Sequence, residues 1–173
     1  MVGTTTGGAP KSLYTVDERH RRDASPWTMV QGILAPLQFV VCLASLVLVV
    51  RYLATGHGLG AATGSVLMKT VALYAIMITG SLWEKAVFGR YLFAPAFYWE
   101  DMVSMLVLAL HTAYVTMLLA RVGSADAQFA VALAGYAAYA VNATQFVLKL
   151  RAARRGASGR SAARAPAAPG FAR

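Results

Sequence analysis

Three stretches of this chain carry no charged side chain at all: residues 24 to 50, 102 to 120 and 127 to 148. Crossing the hydrocarbon core of a bilayer takes roughly 20 apolar residues, so each is long enough to span one. A fourth stretch, 52 to 83, is interrupted only by Lys69. Its part from Ala61 to Trp83 spans as well if that lysine faces protein or water instead of lipid. The remaining charges cluster between these runs, and only 13% of the chain is charged against 58% hydrophobic, well outside the balance of a soluble domain. The expected fold is therefore all-α, a polytopic membrane protein built as a bundle of four transmembrane helices at about 26–53, 61–88, 97–120 and 126–150.

The placement of positive charge orients such a bundle. Lys11, Arg19, Arg21 and Arg22 precede the first span, Lys85 and Arg90 lie between the second and third, and Lys149, Arg151, Arg154, Arg155, Arg160, Arg164 and Arg173 follow the last. The other two loops hold only Arg51 and Arg121. The positive-inside rule puts both termini and the middle loop in the cytoplasm. The net charge of +9 thus reads as topology and not as a nucleic-acid surface. Residues 1–24 form a cytoplasmic tail, loose to residue 12 and then a short polar or helical approach to the membrane. The first span follows some 26 polar residues without a small-residue cleavage site, which reads as a retained helix. Residues 151–173, rich in Arg, Ala, Gly and Pro, read as a basic disordered tail drawn to anionic lipid.

Local signals place the breaks. Ser25-Pro26 opens the first helix with a serine N-cap and proline in the first turn. The run from Thr55 to Gly60 reverses the chain through three glycines, and Gly89 and Pro95 bracket the middle loop. No internal repeat is present, so an inverted-repeat transporter is not supported. A single cysteine, Cys42, excludes an internal disulfide, a CxxC redox pair and a cysteine-based metal site.

Polar residues inside lipid-spanning helices mark inward faces or sites. Gln31, Gln38 and Ser45 recur every seven residues along one stripe of the first helix. Glu100, Ser104 and His111 share a stripe of the third, and Tyr139, Asn142 and Gln145 recur at helical spacing on the fourth. Interhelical hydrogen bonding accounts for such residues as well as a ligand site does. The densest signal is WEKAVFGRYLFAPAFYWED, Trp83 to Asp101, which holds three of the seven acids and seven of the eighteen aromatics in the chain. One reading is an aromatic belt at headgroup level with snorkelling charges. The other is that Glu84, Glu100 and Asp101 converge beneath Trp83, Tyr98 and Trp99, an arrangement suited to a flat aromatic ligand and proton transfer. Lys69 and His111 are the ionisable groups deepest in the spans. His111 is a packing residue, a proton carrier or an axial ligand to a tetrapyrrole metal. With His20 in a tail and His57 in a loop, bis-histidine haem ligation is disfavoured.

The run GSLWEKAVFGRYLFAPAFYWEDMVSMLVLALHTAY, Gly80 to Tyr114, resembles the 3-vinyl bacteriochlorophyllide hydratases of bacteriochlorophyll synthesis. The same resemblance appears in Leu13-Tyr-Thr, in RDASPWT from Arg22 to Thr28 and in QGILAPLQ from Gln31 to Gln38, and it covers roughly 13 to 150. It implies addition of water across the 3-vinyl group of chlorophyllide a or 3-vinyl bacteriochlorophyllide a to give the 3-(1-hydroxyethyl) product. Water is the co-substrate, no cofactor is needed, and the magnesium belongs to the substrate. It further implies a bacterial inner, intracytoplasmic membrane, an active site near the cytoplasmic face, neighbouring pigment-biosynthesis enzymes or a second copy of the chain as partners, and no nucleic acid. Acid–base catalysis then assigns roles by clustering: Glu100 or Asp101 as general acid, Glu84 as base or water-orienting partner, and His111 as proton relay or axial ligand to the substrate magnesium. Lys85 and Arg90 are candidates for the substrate propionate, Trp83, Tyr98 and Trp99 for the macrocycle, and Gln38 for a further substrate contact. The competing functions are a pigment-binding or assembly subunit that leaves the pigment unaltered and a small proton-coupled carrier using Lys69 and the acids.

Overall fold

The computed structural model describes residues 13–163, with side chains through residue 155. The described residues form five helices and no strand: α1 (Val16–Ala24), α2 (Pro26–Thr55), α3 (Leu59–Phe88), α4 (Tyr98–Ala120) and α5 (Ala125–Ala163). The polar approach to the membrane is thus a helix of its own. Thr15 and Glu18 close a capping box at its start, and Asp17 and Glu18 at its head and Arg21 and Arg22 at its tail complement the helix dipole. Ser25 occupies the N-cap of α2 as its sequence suggests, but its hydroxyl makes no capping bond, and Pro26 in the first turn needs none for its own nitrogen. The turn between α2 and α3 uses Gly56 at φ 70° and Gly58 at φ 89°, and Gly89 ends α3 at φ 81°. These are left-handed conformations that glycine adopts without a steric penalty.

Helices α2 to α5 are each long and apolar enough to cross a membrane, and they begin and end close to the expected spans. The departure is at the carboxyl end. α5 runs on to Ala163, where the charge pattern suggests an end near 150 and a disordered tail from 151. Alanine and arginine are strong helix formers, so a basic sequence leaving the membrane keeps propagating an established helix. Residues 1–12 and 164–173 of the two expected tails lie outside the described residues.

α2 packs along α3 and α4 along α5, giving two antiparallel hairpins that touch less extensively through α3–α4 and α2–α5, with α1 laid against α3. The inward stripe of α2 is confirmed: Gln38, Cys42, Ser45 and Val49 are its buried residues, and Gln31 donates across the hairpin to Thr79 at 2.7 Å. The outer faces carry apolar side chains such as Ile33, Val40, Val47, Met68 and Val71. Lipid removes the hydrophobic drive between helices, so packing and interhelical polar bonds must hold the bundle. Near the α2–α3 turn the interior is apolar, formed by Val49, Ala62, Val66, Tyr114, Phe129 and Ala132. At the opposite end, an aromatic cluster of Tyr14, Phe97, Trp83, Phe88 and Phe146 closes around the loop from 89 to 97.

Candidate functional site

That loop is held by acids. Glu84 lies one turn before the end of α3 and Asp101 in the first turn of α4, where the helix dipole favours a carboxylate. Each is only 5% exposed. Asp101 Oδ2 accepts the Phe93 N–H at 2.7 Å, and Glu84 Oε2 accepts the Ala94 N–H at 3.1 Å. The two carboxyls are within side-chain hydrogen-bonding reach of each other, and such a bond forms only when one carboxyl carries a proton to donate. Phe93 sits at φ 58°, a region a bulky residue occupies only when its surroundings enforce it; the bond to Asp101 is one such constraint.

Glu100 points elsewhere, since adjacent residues on a helix diverge by about 100°. It pairs with Lys149 of α5, which also donates to the Ala96 carbonyl and lies 4.8 Å from the centroid of Phe97. The expected convergence of three acids is therefore a pair, Glu84 with Asp101, beside an ion pair, Glu100 with Lys149. By charge placement alone Lys149 belongs with the basic tail. Its signal was its position four residues past Gln145 and seven past Asn142, on the polar stripe of the same helix.

The aromatic candidates separate likewise. Trp83 donates its indole N–H to Thr28 at 3.0 Å and meets Phe88 and Phe97 edge-on, so it belongs to the inner cluster. Tyr98 and Trp99 are 45% and 70% exposed, pack edge-to-face on each other and look outward. Lys85 caps the Gly89 carbonyl at 3.0 Å, lies over Tyr91 and is exposed, as is Arg90.

A second group of candidates lies deeper. His111 follows Asp101 by ten positions, about 15 Å along α4. Its Nδ1 meets the Val107 carbonyl at 2.8 Å; a carbonyl only accepts, so Nδ1 carries a proton, and in the neutral ring Nε2 presents a bare lone pair. Gly135 packs flat against this ring, and a Cβ there would stand 2.8 Å from His111 Cε1. Lys69 places its ammonium 4.0 Å from the Tyr139 ring centroid. Ser45 bonds both Ser65 at 2.8 Å and Tyr136 at 2.6 Å, and Asn142 donates to Ser104 at 2.8 Å. Gln38 is buried as well, one turn before Cys42 on α2. Among the described residues no group of three His, Cys, Asp or Glu side chains stands close enough to hold a metal ion.

The family model described as 2-vinyl bacteriochlorophyllide hydratase matches residues 14–152. A protein named 2-vinyl bacteriochlorophyllide hydratase from Rhodobacter capsulatus is 60% identical over 155 residues, 89% of this chain and 90% of that protein. Its namesake from Cereibacter sphaeroides is 58% identical over 154 residues, 89% of this chain and 96% of that protein. The 2-vinyl and 3-vinyl names denote the same enzyme. No solved structure matches.

Proposed function

The chain belongs to the 2-vinyl bacteriochlorophyllide hydratase family, and from that premise we propose that it hydrates the 3-vinyl group of chlorophyllide a or 3-vinyl bacteriochlorophyllide a, with Glu84 and Asp101 together as proton donor and acceptor. The observation that carries this is a buried carboxyl pair within reach of sharing one proton, pinned by loop amides at 2.7 and 3.1 Å. The proton moves to the terminal vinyl carbon as the π electrons form the new C–H bond. The cation left on the inner carbon is stabilised by conjugation with the macrocycle. Water attacks there through oxygen and returns a proton to the pair, which is restored for the next turnover. One water is consumed, no electron is exchanged with a carrier, and the balance asks for no redox cofactor.

The remaining candidates arrange around that centre. Tyr98 and Trp99 offer exposed rings for the macrocycle, and Lys85 and Arg90 offer positive charge at the same end for the propionate. Trp83 buttresses the loop from inside. The roughly 15 Å from Asp101 to His111 along α4 exceeds the distance from a chlorin's magnesium to its vinyl carbons. His111 is moreover fully buried among the helices, with no face open to a macrocycle. The acid pair is the choice that supplies the proton the reaction needs, so His111 and Gln38 stand outside the reacting centre. By the charge bias, this end of the bundle faces the cytoplasm at the bacterial inner membrane.

The test is to supply membranes containing the protein with chlorophyllide a and no nucleotide, and to follow mass and absorption. The expected result is a gain of one water with a blue-shifted red band, as vinyl conjugation is lost. A pigment that binds but keeps its mass, with 3-vinyl bacteriochlorophyllide also unconverted, overturns the hydratase reading and favours a pigment-holding subunit.

A further inference from the structure

The interior of the bundle is divided along its length. From the loop end inward, buried polar groups follow one another: Glu84, Asp101 and Glu100, then Ser104 with Asn142, then Gln38, Lys69 and His111, and last Ser45 with Tyr136. Beyond Ser45 the core is apolar to the opposite turns, with Val49, Val66, Tyr114 and Phe129 at 1% exposure or less. Within the polar half, several buried atoms find no hydrogen-bond partner in the protein: both amide atoms of Gln38, Lys69 Nζ, His111 Nε2, Asn142 Oδ1 and Gln145 Oε1. Gln38, Lys69, His111 and Asn142 are each at least nine-tenths buried, and they come from four different helices.

An unpartnered polar atom in a lipid-embedded core costs several kcal/mol, and one isolated case would be a local defect. Here donors and acceptors are mixed. Lys69 and the Gln38 amide donate, while His111 Nε2, Gln38 Oε1, Asn142 Oδ1 and Gln145 Oε1 accept. Two of them pack on tyrosines of α5 that stand one turn apart: Lys69 lies over Tyr139, itself one turn from Asn142, and His111 packs 5.7 Å from Tyr136 between ring centroids. A set of facing donors and acceptors, each short of a partner, fits a ligand that both donates and accepts and makes about three bonds per molecule, which is water.

We infer that the loop-end half of the bundle is a one-ended hydrated crevice, closed at its inner end by Val49, Val66, Tyr114 and Phe129, and that its water is the supply from which the Glu84–Asp101 pair draws its co-substrate. Hydration of the crevice stands on the unpartnered atoms alone; the role of the water rests on the hydratase reading.

Hydroxyl-radical footprinting of the full chain in nanodiscs tests the first part, because radicals generated from internal water oxidise the side chains beside it. Cys42, Tyr139 and His111 are expected to oxidise at a rate of the same order as exposed Tyr91, while Tyr114 and Phe129 remain unmodified. If all five core positions are equally silent, there is no hydrated crevice. Lys69→Met keeps the side-chain length and removes its donors, and Gln38→Leu does the same from α2 should the first variant fail to assemble. Either is expected to lose labelling at Cys42 and to slow turnover by about tenfold, the factor that corresponds to one lost hydrogen bond of roughly 1.4 kcal/mol. Lost labelling with unchanged turnover overturns the supply role. Absence of any hydration product in the unaltered protein would instead overturn the hydratase reading and leave the footprint as it stands.

Discussion

Replacing Asp101 with asparagine isolates the proton from the scaffold. The asparagine carbonyl still accepts the Phe93 N–H that Asp101 Oδ2 takes at 2.7 Å, and its amide donates to Glu84, so the loop keeps its anchor. What disappears is the proton the pair can pass. General acid–base catalysis contributes about 10²–10⁴ in rate, so the turnover of Asp101→Asn is expected to fall by that factor, roughly 2.7–5.5 kcal/mol of barrier, with less than about 1 kcal/mol lost in stability. Asp101→Ala also abandons the Phe93 N–H, and adds about 1–3 kcal/mol of destabilisation for an unmade bond. Glu84→Gln is expected to match Asp101→Asn, and the double variant to be no slower than the slower single, because two groups sharing one proton act as a unit. The assay is the initial rate of water addition to chlorophyllide a in nanodiscs, run beside an absorption titration of pigment binding and a thermal melt. An Asp101→Asn protein that keeps more than about a tenth of its rate would refute the assignment. So would one whose activity falls only in step with pigment binding or folding.

Lys149→Met strands Glu100 in a site where its side chain is 7% exposed. A loss of about 2–3 kcal/mol is expected, less than for a fully buried pair because the Lys149 side chain is 24% exposed. A melt in detergent measures it, and adding Glu100→Gln should restore most of it. Tyr14 lies outside the spans, and burial raises its hydroxyl above the ordinary value of 10.0, opposed by nearby Arg22. A raised folded value means that the docking of α1 is at full strength below that ordinary value and is lost as pH climbs through the folded one. Limited proteolysis should therefore find α1 protected up to about pH 10 and released above it, and Tyr14→Phe should remove this dependence on pH.

Much of the architecture was legible in one dimension. The four spans stand in the sequence because a bilayer demands long uncharged runs, and the glycines at 56, 58 and 89 mark turns because their backbone needs left-handed angles. The inward stripe of α2 was legible because a polar group facing lipid is costly. The concentration of acids between Trp83 and Asp101 was legible too. Which of them meet was not. Glu100 and Asp101 are neighbours in sequence, yet one faces α5 and the other Glu84.

The sequence by itself thus determined the number of helices, their approximate ends and the end of the bundle where chemistry can sit, since hydropathy and turn preference are local properties of the chain. Only the tertiary structure decided that Glu84 pairs with Asp101, that Lys149 neutralises Glu100, that Trp83 turns inward while Trp99 turns outward, and that four helices each turn an unpartnered polar group into the interior. Those outcomes depend on the rotation of each helix about its axis and on how one hairpin lies against the other, and both are set by side-chain packing between segments far apart in the chain.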